Sequence, residues 1–169
     1  MKKILAFSLA ALLALSMTAC SGGDESSSSG GSSSSTPSAS TASASAADLA
    51  KQMVDATTFN DEMIQISEDV VPNYYNLPDG VDDYCVYLCP TGATVEEISV
   101  FHLTDGAVAD MRTEIERHVD ARTTEYESYR PEEIPKLDNA AIVESGDYIA
   151  VIIADDTAPA SQVFEDALA

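Results

Sequence analysis

Cys85 and Cys89 stand four residues apart in a chain of 169, and such a thiol pair is the first place to look for redox or metal chemistry. Their segment, Tyr84 to Cys89, is dense in β-formers. On a strand, positions i and i+4 share a face but lie about 13 Å apart, beyond disulfide reach. The two thiols are therefore expected to pack as small apolar side chains. Glu114 and His118 lie one helical turn apart, as two metal ligands would, but there is no His-Glu-x-x-His arrangement and no third ligand is evident. His118 is expected on a solvated helix face; His102 is the only other histidine. Acidic groups cluster at Asp79, Asp82 and Asp83, at Glu132 and Glu133, and at Asp155 and Asp156. The first cluster flanks Gly80, but its spacing misses the alternating pattern of a calcium loop and lacks the distal Glu. No Gly-x-Ser-x-Gly elbow, phosphate-cradling glycine loop or Cys-x-x-Cys occurs. These absences weigh against an enzyme, and no catalytic residue, metal site or cofactor is assigned.

The seven tyrosines all fall between Tyr74 and Tyr148. Tyrosine suits both a half-buried packing position and a contact surface, and packing is the expectation for most of them. A binding face, if the domain has one, is expected around Tyr74, Tyr75, Tyr126 and Tyr129.

The remaining cysteine has a different setting. Lys2 and Lys3 precede a run from Ile4 to Leu15, twelve residues broken by one polar residue, Ser8. That is the length of a secretion signal and too short to span a bilayer. The run ends in Leu15-Ser16-Met17-Thr18-Ala19-Cys20, which resembles the lipobox of bacterial lipoproteins, with Met17 in place of the preferred Leu. The resemblance implies that residues 1–19 are removed and that Cys20 carries a diacylglyceryl thioether. With further acyl chains such as palmitate this gives stable anchoring, since each buried methylene contributes about 0.8 kcal/mol.

From Ser21 to Ala47 the chain holds 13 Ser and 4 Gly in 27 residues, a composition unable to offset ordering entropy. Residues 20–47 are read as a disordered tether, with a root-mean-square span of about 29 Å and a limit on the order of 90 Å. Its hydroxyls are also possible sites for O-glycans. Across the whole sequence 29 acidic residues face 8 basic ones, two of which leave with the signal. Such charge repels nucleic acid phosphates and anionic headgroups, so no nucleic-acid partner is expected and a lipid is the plausible membrane attachment.

Residues 48–169 are read as one α+β domain. A helix is expected from Asp48, as N-cap, to Ala56, and a short helical stretch from Asn60 to Glu68. Tyr84 to Cys89 and Glu97 to Leu103 form an antiparallel pair. A long helix, capped by Thr104 or Asp105, runs to about Ser128 with Val108, Met111, Ile115, Val119 and Tyr126 on one stripe, and Pro131 and Pro135 end it. Ala140 to Glu144 and Tyr148 to Ala154 make a hairpin around Ser145-Gly146-Asp147, the latter strand apolar on both faces and therefore central. A closing helix spans Pro159 to Leu168. The order α-ββ-α-ββ-α implies a two-layer sandwich, an antiparallel sheet of about four strands with helices on one face.

From Tyr84 to the C-terminus the chain resembles a family of small Gram-positive lipoproteins catalogued as domain of unknown function 4358. The matching stretches are Ala93 to Phe101, Tyr126 to Glu133, Lys136 to Ala140 and the Gly146-Asp147-Tyr148 turn, together with the lipobox and polar tether. The resemblance implies the architecture and no activity. The leading expectation is a non-catalytic module of the cell envelope, anchored at the extracytoplasmic face and binding a protein or wall component. A small cell-wall hydrolase and a divalent-cation-binding surface protein are the alternatives.

Overall fold

The computed structural model describes residues 44–104 and 106–169; the signal, Cys20 and all but the last residues of the expected tether lie outside them. In chain order the elements are α1 (Ala46–Ala56), β1 (Ile64–Gln65), β2 (Val81–Leu88), β3 (Glu97–Leu103), α2 (Val108–Tyr129), α3 (Ile134–Asp138), β4 (Ala141–Ser145), β5 (Tyr148–Ile153) and α4 (Ala158–Ala167). Short 3₁₀ turns at Val71–Asn73 and Pro131–Glu133 precede β2 and α3. The five strands form one sheet in the order β1-β2-β3-β5-β4, every neighbour antiparallel.

The α+β class and the antiparallel sheet are those the sequence implies, and β3 spans the expected residues. The centre of the sheet follows from patterning: β5 is buried at every position and β3 at all but His102, so both strands need cover on two sides. They get it. On one face Val86, Leu88, Phe101, Leu103, Ile149, Val151 and Ile153 pack against Met111, Ile115 and Tyr126 of α2. On the other, Cys85, Ile98, Val100, Ala150 and Ile152 pack against Ala46, Leu49, Ala50 and Met53 of α1 and Ala160 and Phe164 of α4. The sheet thus has five strands rather than four, and the helices divide between its two faces where the element order alone placed them on one.

The fifth strand comes from the segment 60–68, expected as helix. Its few apolar residues cannot build a helical stripe, whereas Ile64 and Gln65 find backbone partners opposite Leu88 and Tyr87 on the edge of β2. Helix α1 begins one turn early, because the Ser45 hydroxyl, not Asp48, caps it by accepting from the Asp48 N–H at 3.0 Å. Ser45, Ala46 and Ala47 therefore belong to the fold rather than to the tether. Helix α2 starts at Val108 with no side-chain cap. The expected cap Thr104 instead donates its hydroxyl to the Gly80 carbonyl at 3.2 Å, fixing the start of β2 to the end of β3. Gly80 has φ +96°, and a Cβ there would lie 2.9 Å from the Ala107 Cβ, so only glycine fits this crossing. Pro131 follows the end of α2 as expected, whereas Pro135, six residues past that end, lies in the first turn of α3; both open a helical turn, the position where a missing N–H costs least.

A buried polar latch holds these turns. The Lys136 ammonium reaches Glu96 at 3.2 Å and Glu133 at 3.0 Å, and Glu133 also accepts from the Val95 N–H at 3.1 Å. Glu96 further accepts from the Asn60 N–H at 2.9 Å and from the Thr94 hydroxyl at 3.1 Å. The β2–β3 connection, α3 and the segment before β1 are thereby locked to one another.

Candidate functional site

Alternation along β3 puts Glu97 and Ser99 on the same face as Phe101 and Leu103, turned toward α2. Glu97 is 1 % exposed, and a carboxylate so deep is tolerated only with a full set of partners. It has them. His118 Nε2 approaches Glu97 Oε2 at 2.9 Å, the Ser99 hydroxyl donates to Oε1 at 2.5 Å, and the Tyr75 hydroxyl donates to the same oxygen. The Tyr75 ring stacks on the His118 ring at 4.2 Å and meets the edge of Phe101 at 5.1 Å. Burial alone would raise the Glu97 carboxyl, but the His118 charge and the hydrogen bonds from His118, Ser99 and Tyr75 outweigh it and hold the group down at about 2. Burial, reinforced by the neighbouring Glu97 charge, pushes the Tyr75 phenol well above its ordinary value, which keeps its proton in place as donor.

The other ring nitrogen of His118, Nδ1, faces the Tyr74 carbonyl at 3.2 Å. A carbonyl oxygen and an ionised carboxylate are both pure acceptors. The ring satisfies both contacts only as the imidazolium, with neither nitrogen left to take a proton from a substrate. His118 is therefore not the solvated helix-face residue expected from its polarity. It continues the buried stripe of α2, lying three residues after Ile115 and eight before Tyr126.

Above this network the segment 72–76 stands against α2 and leaves a cleft of about 470 Å³, lined by Asn73, Tyr74, Asn76, Arg117, His118, Arg122 and Glu125 among others. Its wall is tied by Glu114, which accepts from Arg117 Nη2 at 2.5 Å and Nε at 2.8 Å and from the Asn76 N–H at 2.6 Å. The Arg117 hydrogen bonds, helped by those from Asn76 against the effect of burial, hold Glu114 below its ordinary range. Glu114 and His118, adjacent on the helix, thus take different partners and do not converge as metal ligands.

A second depression of about 340 Å³ shares Tyr74, Arg122 and Glu125 with the first and continues to the loop Cys89–Gly92, Tyr126 and Tyr129. Together they make a groove along the C-terminal half of α2. Three of the four singled-out tyrosines line it, while Tyr75 lies beneath, 1 % exposed. Tyr126 is also 1 % exposed, its hydroxyl 3.0 Å from the Gly92 carbonyl and 3.1 Å from that of Thr94. Tyr129, edge-on to Tyr126 at 5.8 Å, is 63 % exposed. Of the four, Tyr74 and Tyr129 offer surface, and Tyr75 and Tyr126 position it.

Arg122 forms the ridge between the two depressions. Its guanidinium lies 4.7 Å from the Tyr126 ring centre, with Nη1 3.3 Å from Glu125 and Nη2 3.4 Å from the Tyr126 hydroxyl. Its Nε is sealed from solvent without a partner, the single such buried side-chain nitrogen or oxygen among the described residues.

Cys85 and Cys89 are both buried and unpaired, Cys85 facing α1 on the sheet side away from the groove. Burial and the nearby Asp83 push the Cys85 thiol up to about 11. Cys89 borders the groove, with its sulfur 3.3 Å from Asp61 and 3.1 Å from the Thr91 hydroxyl. Burial works to raise this thiol, but hydrogen bonds from Thr91 and Thr94 together outweigh it and bring it below its usual value. His102 pairs with Asp82 at 2.5 Å against Tyr148, while Asp83 accepts from the Ala46 N–H at 2.8 Å at the start of α1. The acidic cluster is thus divided among separate structural tasks, and among the described residues no three potential ligands gather as a metal site would require.

Residues 55–154 match the family described as Domain of unknown function (DUF4358), a stretch that contains the whole sheet, α2 and α3 and therefore the entire groove. No curated protein and no solved structure matches the chain.

Proposed function

The chain belongs to the family of domain of unknown function 4358, and on that footing we propose that it is a binding module of the cell envelope, held at the extracytoplasmic face of a membrane by a lipid on Cys20. The observation that carries the binding role is the groove along α2, where half-buried Tyr74 and exposed Tyr129 stand among arginine and amide donors over a hydrogen-bonded floor. The floor holds residue types that also serve in hydrolases, a serine, a histidine and a carboxylate, but their wiring favours support over catalysis. Both His118 nitrogens are engaged and Ser99 is fully buried, so neither a base nor a nucleophile meets a ligand. The anchor rests on the lipobox-like Leu15 to Cys20 stretch, and no described helix is long and apolar enough to cross a membrane. On the short tether the groove would stay within reach of wall material adjoining the membrane.

Two measurements test the reading. Cys20→Ser should release the protein from the membrane pellet into the soluble fraction. The full-length chain in detergent should co-sediment with purified wall sacculi, and the double variant Tyr74→Ala/Tyr129→Ala should lower that retention at least about fivefold. Membrane sedimentation unchanged by Cys20→Ser removes the anchor, and sacculus retention indifferent to both tyrosines removes the groove.

A further inference from the structure

The two edges of the sheet differ. On β4, Glu144 pairs with Arg112 at 2.6 Å and the Ser145 hydroxyl donates to the Leu168 carbonyl at 3.3 Å, so charge and the end of α4 guard that edge. The opposite edge is β1, which has neither a charged residue nor a proline and is exposed at both positions. Ile64 and Gln65 stand opposite Leu88 and Tyr87, and the Ile66 N–H donates to the Val86 carbonyl at 3.0 Å. Antiparallel bonding alternates along a strand, so Ile64 and Ile66 turn their backbone groups to β2 while the N–H and C=O of Gln65 point to the open side. A donor and an acceptor presented in this way match the backbone of an extended polypeptide. The flanking surface is apolar. Ile64 and Ile66 share the α2 face and, with Val70, Leu88 and Pro90, line a depression of about 440 Å³. Ile64, 38 % exposed, and Tyr129 are the two large hydrophobic side chains that stand exposed among the described residues, and Tyr74 lines both the depression at Ile64 and the one at Tyr129.

We propose that the outer edge of β1 takes up an extended segment of a partner polypeptide, apolar at alternate positions and carrying Lys or Arg at both ends. The alternation follows from the pleat, which sends every second side chain of an added strand over the depression beside Ile64. The basic ends follow from charge. Asp61 and Glu62 precede β1, Glu68 and Asp69 follow it, and no Lys or Arg occurs between Lys51 and Arg112. Among the described residues none of these four acids is paired with a cation. A partner that supplies cations there gains where an acidic one is repelled. The chain's own segment 20–43 holds no Lys or Arg, and a second copy brings a net charge of −21, so neither supplies them. The docking edge does not depend on the wall-binding reading, because its backbone pairing and its acids lie outside the groove along α2.

The test titrates the full-length chain in uncharged detergent micelles against the labelled peptide acetyl-Lys-Arg-Val-Thr-Val-Thr-Val-Arg-Lys-amide, with binding read by fluorescence anisotropy. Two control peptides accompany it: one with Glu in place of every Lys and Arg, and one N-methylated at both threonines, the residues set opposite Gln65 when the valines face the depression. The basic peptide should bind at least about tenfold tighter than either control. The triple variant Glu62→Gln/Glu68→Gln/Asp69→Asn, at exposed positions, should weaken it about tenfold, and Ile64→Ser about fivefold. At saturation the Gln65 amide should exchange its hydrogen at least about tenfold more slowly. Absence of binding, or equal affinity for the acidic peptide, overturns the proposal. Binding that N-methylation leaves unchanged overturns the backbone pairing, and protection of the Ile142 and Glu144 amides in place of Gln65 moves the peptide to the other edge and overturns the site. Protection of Gln65 that rises with protein concentration in the absence of peptide, together with a dimer in sedimentation, makes the occupant a second copy and overturns the basic partner.

Discussion

His118 Nε2 lies 2.9 Å from the Glu97 carboxylate, with neither residue more than 2 % exposed. An ion pair sunk between a sheet and its covering helix is sustained by its surroundings. Ser99 and Tyr75 saturate one carboxylate oxygen, and Tyr74 supplies the acceptor for the far side of the ring.

Removing either partner strands the other charge. Glu97→Leu and His118→Leu should each destabilise the protein by about 3–5 kcal/mol in urea unfolding. The double variant should lose clearly less than the sum, because no charge then remains in the core. Additive losses would mean that the two residues do not act as a pair.

The same pair sets the acid limit. A carboxyl held at about 2 when folded and near its ordinary value of 4.5 when unfolded binds more protons in the unfolded state as pH falls. Its contribution is complete above about pH 5 and is lost progressively between about pH 4.5 and 2. Melting temperature followed across that window should drop steeply in the natural protein and less steeply in Glu97→Gln. Parallel curves would assign the acid sensitivity to other carboxylates.

Two glycines with positive φ separate backbone strain from crowding. At Gly146, φ +57°, nothing lies within 4 Å of an added Cβ, and Gly146→Ala should cost about 1 kcal/mol. At Gly80 the added carbon meets the Ala107 Cβ at 2.9 Å and the Thr104 carbonyl at 3.1 Å, so Gly80→Ala should cost at least about twice as much. Equal urea midpoints for the two variants would show that the start of α2 moves freely away from β2.

Much of the fold is legible in the residues. The β-former-rich run Glu97 to Leu103, the doubly apolar Ile149 to Ile153, the tight turn at Gly146 and the stripe Met111, Ile115, Tyr126 each state their element locally, and each is found there. The same local signals misplace the segment around Ile64, since a two-residue strand has no periodicity and exists only because the edge of β2 is open beside it. They also leave open which face each helix covers. The doubly apolar β5 demanded cover on both sides, but only packing assigned α1 and α4 to one and α2 to the other.

The groove is legible in part. Clustering of tyrosines pointed to Tyr74, Tyr126 and Tyr129, which line it, and to Tyr75, which supports it. Arg122 and His118 escaped, because polarity argued for solvent while their positions on the α2 stripe argued for burial. The sequence by itself determined four of the five strands, the long helix, the acidic balance and the candidate lipid site at Cys20, since those depend on neighbours a few residues away. Only the tertiary structure decided that His118 meets Glu97, 21 residues distant, and that Arg122 stacks on Tyr126 with its Nε buried and unpartnered. A side chain's burial and charge partners are set by what folds against it, and no local pattern carries that information.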